Sequence, residues 1–261
     1  MIASQIVAQL YTVRDYIKTP PEIAKSLKKI REIGYDAVQV SGMGPIAEAD
    51  LKAMLDGEGL VCCATHEGAE RILNETQQII DRLNALDCQH TAYPHPANVD
   101  LSCLEGVDAL ASRLDAAGKL LHANGMTLSY HNHHIEFRKV GGQTVLSRLM
   151  QMTDPRYLKL ELDTYWAQYG GSDPVWWCEH SNGRLPLLHL KDYEIGEDNQ
   201  PHFASIGRGN LDWQRIITAA EASGCQWFIV EQDTCPGDPF DALRQSYEYL
   251  KETFCTKEVE I

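Results

Sequence analysis

The feature that most constrains this chain is a short apolar segment followed by a longer amphipathic one, repeated eight times. The short segments are rich in apolar, β-branched or aromatic residues, which is typical of strands buried on both faces. These predicted strands are Ile6–Val13, Ala37–Ser41, Leu60–Thr65, His90–Tyr93, Thr127–Asn132, Tyr157–Leu162, Leu187–Leu190 and Trp227–Glu231. The amphipathic segments predict helices. They are Pro21–Ile33, Ala47–Asp56, Ala69–Leu86, Leu101–Ala123, Thr144–Met152, Pro174–His180, Trp213–Ala222 and Phe240–Thr253.

Strands that alternate with helices in this way indicate parallel βαβ units. Two architectures use such units, an open doubly wound sheet and a closed (β/α)₈ barrel. An open sheet that binds nucleotides typically carries GxGxxG or GxxxxGK[ST] after its first strand. Here the first strand leads into Tyr11-Thr12-Val13-Arg14-Asp15 instead. Since no linker or low-complexity tract divides the 261 residues, we predict one α/β domain, a (β/α)₈ barrel spanning 1–261.

The charge of the chain argues against two classes of partner. There are 23 Lys and Arg against 37 Asp and Glu, which gives a formal net charge of −14, and no run is rich in Lys or Arg. This balance disfavours binding to nucleic acid or to anionic membranes. No stretch reaches 18 consecutive apolar residues, and the N-terminus lacks the basic region of a signal peptide. We therefore expect a cytoplasmic protein with reduced cysteines.

Polar side chains concentrate where the predicted strands end. In a (β/α)₈ barrel, chemistry takes place at the carboxyl ends of the strands, and six of the ten histidines lie there. Asp163, His189 and Glu231 come from three consecutive strands and are candidate ligands of a divalent metal, because mixed imidazole and carboxylate ligands suit Mn²⁺, Co²⁺, Zn²⁺ or Mg²⁺. Each residue taken singly also has a structural explanation. An Asp after a strand often caps the next helix, and a His at the end of a strand often forms a hydrogen bond with a neighbouring residue.

The fifth predicted strand adds further candidates. The two-residue period of a strand puts His131 and His133 on one face and Asn132 on the other. Both histidines can then point into the mouth of the barrel. Glu136 lies beyond the strand and could fold back toward it. Alternatively, either histidine hydrogen-bonds a neighbouring carboxylate without touching the metal.

Several of these segments resemble a known family. They are Gln9–Arg14, Tyr130–Phe137, Leu162–Thr164, His189–Asp192 and Gly207–Trp213. Together they are similar to the sugar phosphate isomerase/epimerase family, a xylose-isomerase-like TIM-barrel group that includes inosose dehydratases, ketose 3-epimerases, hydroxypyruvate isomerases and endonuclease IV. The resemblance covers essentially the whole chain, and it implies a TIM barrel with a carbohydrate substrate.

The resemblance also implies one divalent metal ion, with Mn²⁺ favoured, held by Glu, Asp, His and Glu from strands five to eight. Asp163, His189 and Glu231 match three of these positions. For the first position we predict Glu136. His131 is the alternative, because many relatives carry the Glu nearer to the place that His131 occupies here. The metal ligands predicted here are therefore Glu136, Asp163, His189 and Glu231.

From this resemblance we predict a metal-dependent isomerase or epimerase. It would abstract a proton next to the carbonyl of a keto sugar or polyol through a metal-stabilised enediolate. Glu231 or His133 would act as base, and Glu136 and His131 are further catalytic candidates. Alternatives are a lyase or dehydratase acting on a keto sugar, keto-glycoside or inosose, and a non-catalytic barrel that binds sugar or metal. The net charge argues against an endonuclease-IV-like enzyme.

Further residues are candidates for binding a small-molecule sugar or polyol. His66, His95, Lys191 and Arg208 could bind hydroxyl or carboxylate groups, and Trp166 and Tyr11 could form an apolar wall, although core packing explains both equally well. A phosphorylated substrate would need a glycine-rich cradle after strand seven or eight, and the one candidate is Gly207-Arg208-Gly209. Because the resemblance implies that this segment is a structural feature of the family, we expect an unphosphorylated substrate. Apolar helix faces could form a dimer interface, so a homodimer is possible.

Overall fold

The strands close into a barrel, in which each pairs in parallel with its sequence neighbours and the last pairs with the first. The computed structural model describes residues 1–255. Its barrel strands are β1 (Ile6–Gln9), β2 (Ala37–Val40), β3 (Val61–His66), β4 (His90–Tyr93), β5 (Thr127–His131), β6 (Leu158–Asp163), β7 (Leu187–Leu190) and β8 (Trp227–Val230). The predicted (β/α)₈ fold is therefore confirmed. The last six residues of the predicted domain, 256–261, lie outside the described residues.

Helices cover the outside of the barrel. They are α1 (Pro20–Ile33), α2 (Glu48–Glu58), α3 (Ala69–Asn74), α4 (Thr76–Ala85), α5 (Leu104–Ala123), α6 (Val145–Met152), α7 (Thr164–Tyr169), α8 (Pro174–His180), α9 (Trp213–Ala222) and α10 (Pro239–Phe254). None of those within residues 1–255 is both long enough and apolar enough to cross a bilayer.

The predicted helix Ala69–Leu86 is wrong in one respect, because the structure has two helices there. The backbone of Glu75 is not helical, with φ −128° and ψ 34°. The hydroxyl of Thr76 donates to the carbonyl of Ile72 at 2.7 Å. In a continuous helix that carbonyl would accept the amide of residue 76, so the side chain competes with the helical ladder.

Strand β1 is shorter than the predicted Ile6–Val13. It ends at Gln9 and is followed by a 3₁₀ segment, Leu10–Tyr16. The Gln9 side chain accepts the amide of Tyr11 at 3.3 Å and so caps this segment. This segment follows the carboxyl end of β1, and a (β/α)₈ barrel carries its site at that end of the strands.

Four short strands outside the barrel are not predicted by the sequence. They form two antiparallel hairpins, Lys139–Val140 with Gln143–Thr144 and Asp192–Ile195 with Pro201–Ala204. The second hairpin directly follows β7 and therefore lies at the carboxyl end of the barrel, where the candidate site is expected.

The interior of the barrel changes from apolar to polar along the strands. Its apolar layer is a small cluster separate from the main core, to which Val7, Ala37, Leu187 and Ile229 belong. Two residues further along the chain come Gln9, Gln39 and His189, inside their strands, and Glu231, just after β8, all of them buried. Because side chains two apart share a face of a strand, a polar layer covers the apolar one and forms the floor of the mouth.

Candidate metal centre

Strand register brings four potential ligands together at the mouth of the barrel. Asp163 pairs with His189 across β6 and β7, and Glu231 follows β8, its amide donating to Leu190 at 3.1 Å. His131 ends β5. These four side chains, all buried, each offer a ligand atom within 4.8 Å of the others. We call His131, Asp163, His189 and Glu231 the rim set.

Glu136, predicted as the first ligand, is not among these side chains. Its carboxylate accepts the Tyr130 hydroxyl and the His133 amide, both at 2.8 Å. Burial raises the pKa of Glu136, although these two hydrogen bonds oppose the shift. Tyr130 is on the face of β5 opposite to His131, so Glu136 folds behind the strand and His131 lies where the first ligand was expected.

Asp163 has both of the roles that the sequence left open. Its Oδ1 accepts the amide of Trp166 at 2.9 Å and caps α7. Its Oδ2 is buried and has no aligned hydrogen-bond partner among the described residues, although Lys191 Nζ lies 2.9 Å away. A carboxylate oxygen left in this way is suited to a cation.

Lys191 places a positive charge among three carboxylates. Its Nζ lies 2.8 Å from Glu231 Oε2 and 3.2 Å from Asp233 Oδ2, in addition to its contact with Asp163. Burial by itself lowers the pKa of Lys191, but the carboxylates outweigh burial and raise the pKa well above its usual value. Lys191 is therefore a permanent cation at the edge of the rim set.

Glu161 is a buried carboxylate that the sequence analysis missed. Its Oε2 lies 2.5 Å from His66 Nε2, 3.2 Å from His131 Nδ1 and 3.4 Å from His189 Nε2. These four residues form a second group that could hold a metal ion, which we call the deep set. The signal was present, because Glu161 is two residues before Asp163 and so shares its face of β6.

The histidines differ in charge. Although burial lowers the pKa of His189, Glu161 and Glu231 outweigh it and raise that pKa to about 10. Burial, together with the neighbouring His189, lowers the pKa of His131 to about 4. Burial and the neighbouring His131 and Lys191 lower the pKa of His133 to about 2. His131 and His133 are thus neutral and can offer a lone pair.

A cavity of about 480 Å³ borders the rim set, of which His131 and Glu231 line its wall. The predicted site residues on its wall are Tyr11, His66, His95, His131, His133, Lys191 and Glu231. Trp166 borders it, since its ring centre lies 5.8 Å from Lys191 Nζ and 5.6 Å from the ring of His133. The wall also includes Arg14 and Asp233, which were not singled out in the sequence.

Arg208, predicted to bind substrate, is exposed and lies on a neighbouring groove instead. The amides of Gly207 and Gly209 donate to Asp192 Oδ2 at 2.9 and 3.0 Å, and the indole of Trp213 donates to the same oxygen at 2.8 Å. Because an internal carboxylate already takes these amides, this glycine-rich loop is not a phosphate cradle.

The rim set fits a divalent ion. It offers two imidazoles and two carboxylates, which is a ligand composition common to Mn²⁺, Co²⁺ and Zn²⁺ sites. Asp163 Oδ2, which accepts no aligned hydrogen bond from the described residues, and the cavity that His131 and Glu231 line are also consistent with such an ion.

Comparison with known proteins agrees with this architecture. The family model for xylose isomerase-like TIM barrels matches residues 27–253. An inosose dehydratase of Geobacillus thermodenitrificans is 30% identical over 165 residues, which cover 56% of this chain and 54% of the relative. The match thus spans about half the length of that relative.

Solved structures show the same fold. A sugar phosphate isomerase/epimerase of Parabacteroides distasonis superposes with a TM-score of 0.81 at 21% identity, over 94% of this chain and 97% of that one. A xylose isomerase-like protein of Mycobacterium smegmatis in complex with magnesium has a TM-score of 0.73 at 15% identity, over 97% of each chain. At these identities the likeness extends to the fold alone.

Proposed function

Because this chain belongs to the xylose isomerase-like TIM-barrel family, we propose that it is a divalent-metal-dependent enzyme that removes a proton next to the carbonyl of a keto sugar or keto polyol. The observation that carries the proposal is the rim set, four buried ligand side chains of which two, His131 and Glu231, line a cavity of about 480 Å³. That volume lies in the usual range for small-molecule sites.

The residues of the rim set would hold the ion, which when bound supplies a Lewis acid for a carbonyl oxygen. Glu231 and His133 both line the cavity, and they follow β8 and β5. Both groups are unprotonated, because Lys191 and His189 outweigh burial and lower the pKa of Glu231, and burial lowers the pKa of His133. A substrate in the cavity would thus have proton acceptors from two strands that are not neighbours.

Lys191 has a separate part in this proposal. It lines the cavity, and its ammonium group is held by Asp163, Glu231 and Asp233. A fixed cation at this point would stabilise negative charge that develops on a substrate oxygen.

Among the outcomes that share this first step, we favour loss of a β-hydroxyl group as water, the dehydratase reaction. The 30% identical relatives are named inosose dehydratases. In addition, the rim set has His131 where the resemblance assigns epimerases a second glutamate. Isomerisation or epimerisation is the second candidate, since Glu231 and His133 could serve different sides of the substrate.

We further propose an unphosphorylated substrate. The amides of Gly207 and Gly209 are taken by Asp192. Within residues 1–255, the cationic groups on the cavity wall are Arg14, Lys191 and histidines, and Lys191 is already surrounded by carboxylates. A phosphate group would therefore find few free donors.

The test is proton exchange in D₂O. The protein is loaded with Mn²⁺ or Co²⁺ and incubated with inososes, keto-glycosides and free keto sugars, and the products are followed by NMR and mass spectrometry. Deuterium entry with loss of water supports the dehydratase, and deuterium entry with altered configuration or carbonyl position supports the second candidate. If the loaded protein exchanges no proton across the panel, it is a binding barrel and the proposal is wrong.

A further inference from the structure

A chain of hydrogen bonds runs through the barrel floor beneath the rim set. The amide of Tyr11 donates to Gln9 Oε1 at 3.3 Å, and Gln9 Nε2 donates to Gln39 Oε1 at 2.6 Å. Gln39 Nε2 then donates to Glu161 Oε1 at 2.6 Å. His189 Nε2 lies 2.7 Å from Gln39 Oε1. Gln9, Gln39, Glu161 and His189 are completely buried.

The direction of this chain follows from its first member. A backbone amide can only donate, so the atom of Gln9 that faces Tyr11 is its oxygen and the atom that faces Gln39 is its nitrogen. The Gln39 oxygen must therefore lie toward Gln9, and this same oxygen faces His189. A flipped Gln39 amide would set its nitrogen against the Gln9 nitrogen and its oxygen against the Glu161 carboxylate.

The direction of this chain determines which ring nitrogen of His189 donates to Gln39. Gln39 Oε1 accepts two hydrogen bonds, so His189 must carry its proton on Nε2 in order to donate the second one. The other ring nitrogen, Nδ1, lies 2.8 Å from Glu231 Oε2 and so faces the rim set. A divalent ion would displace the proton between Nδ1 and Glu231, and Nδ1 is then the atom of His189 that acts as a ligand while Nε2 keeps its hydrogen bond.

The proton on Nε2 distinguishes the rim set from the deep set. His131 and His189 belong to both, but the deep set would use His189 Nε2, the atom beside Glu161 Oε2 at 3.4 Å. We infer that Gln39, oriented by Gln9, is a positioning residue that reserves His189 Nε2 for its own hydrogen bond and directs a divalent ion to the rim set through Nδ1. The inference rests on the metal dependence in the proposed function.

The direct test is NMR of protein with ¹⁵N-labelled histidine, using Zn²⁺ as a diamagnetic probe. The signals of His189 are identified by their absence in His189→Asn, and long-range ¹H–¹⁵N correlations distinguish Nδ1 from Nε2. We expect His189 to bind Zn²⁺ through Nδ1 with a proton on Nε2. Ligation through Nε2 would overturn the inference and leave the proposed function standing. Failure to bind Zn²⁺, Mn²⁺ or Co²⁺ at all would contradict both.

A variant gives an independent measurement. Gln39→Leu removes the acceptor for His189 Nε2, and loss of such an outer partner typically weakens metal affinity about 10–100-fold. Zn²⁺ affinity is measured by competition with a chromophoric chelator. The matched control is Thr91→Val, which removes a buried bond to Thr65 in neighbouring strands of the same barrel. The inference is wrong if Gln39→Leu lowers the affinity no more than this control does.

Discussion

At the scale of single residues, the charge balance of the site depends on Lys191. Its side chain is 2% exposed and contacts Asp163, Glu231 and Asp233. Removing one partner from a buried ion pair usually costs about 3–5 kcal/mol, because the remaining charge stays buried without compensation. A substitution at this position should therefore affect stability much more than a substitution of a surface lysine.

We predict that Lys191→Met lowers the free energy of unfolding of the metal-free protein by about 3–5 kcal/mol, measured by urea denaturation in the presence of a chelator. Divalent ions should restore part of the loss, because they supply positive charge to the same carboxylates. Lys52→Met is the control, since Lys52 pairs with Asp56 on the surface of a helix and such pairs contribute little. Equal effects of the two substitutions would contradict this account of Lys191.

His90 makes stability depend on pH. It begins β4, its Nδ1 is buried with no hydrogen-bond partner within residues 1–255, and burial lowers its pKa. The unfolded chain takes up a proton near pH 6.5 that the folded protein resists. The contribution of His90 to the free energy of unfolding is therefore complete above about pH 6.5. It is lost as the pH falls toward the pKa of His90 in the folded protein.

For this reason we expect His90→Gln to flatten the pH dependence of stability. Between pH 7.5 and 5, the stability of the original protein should fall more steeply than that of the variant, by at most about 1.4 kcal/mol per pH unit. Urea denaturation at a series of pH values measures both slopes. Parallel profiles would mean that His90 titrates alike in the folded and unfolded chains.

At the scale of elements, the approach of α5 to the barrel depends on Gly118. A Cβ at this position would lie 2.1 Å from the carbonyl oxygen of Tyr157, just before β6, whereas a Cβ at Gly57 in α2 would meet nothing within 4 Å. Both glycines are helical. The two helical positions can therefore be compared directly, because Gly57 has room for a Cβ atom and Gly118 does not.

Substitution by alanine should have opposite effects at these two positions. Gly118→Ala is expected to destabilise the protein by about 1–3 kcal/mol or more, because the helix must move away from the barrel. Gly57→Ala is expected to stabilise it by up to about 1 kcal/mol through the higher helix propensity of alanine. Chemical denaturation of both variants checks this, and a neutral Gly118→Ala would refute the close contact.

Much of the element pattern follows from the sequence, because strands buried on both faces read as short apolar runs. The elements around the mouth do not. Helix α7 is only six residues long and starts from the cap that Asp163 provides, and the hairpin beginning at Asp192 packs on aromatic residues distant in sequence, with the ring centres of Tyr165 and Phe203 4.0 Å apart. Such elements depend on tertiary contacts more than on periodicity.

At the scale of the whole molecule, barrel closure explains which site residues could be predicted. Asp163, His189 and Glu231 lie at or just after the carboxyl ends of three consecutive strands, so the topology gathers them whatever the details of packing. Choosing between Glu136 and His131 as the first ligand requires knowing how the chain runs after β5. The sequence does not give that path. Gln39 and Glu161 were missed, although Glu161 shares a face of β6 with Asp163 and Gln39 lies near the carboxyl end of β2.

The charge of the molecule is consistent with a site that attracts cations. The chain has a formal net charge of −14, and Glu161, Asp163, Glu231 and Asp233 gather around one lysine and one protonated histidine at the mouth. The field of such a mouth favours a divalent ion. A homodimer and the extent of the domain beyond residue 255 stay predictions.

The most direct test of the central claim is the metal content of three proteins, the unmodified chain, His131→Ala and Glu136→Gln. Each is equilibrated with Mn²⁺, freed of excess ion by gel filtration and subjected to elemental analysis. The rim set predicts about one ion per chain in the unmodified protein and in Glu136→Gln, and a large loss in His131→Ala. An unmodified protein that retains no ion, or a Glu136→Gln variant that loses it while His131→Ala keeps it, would contradict the site described here.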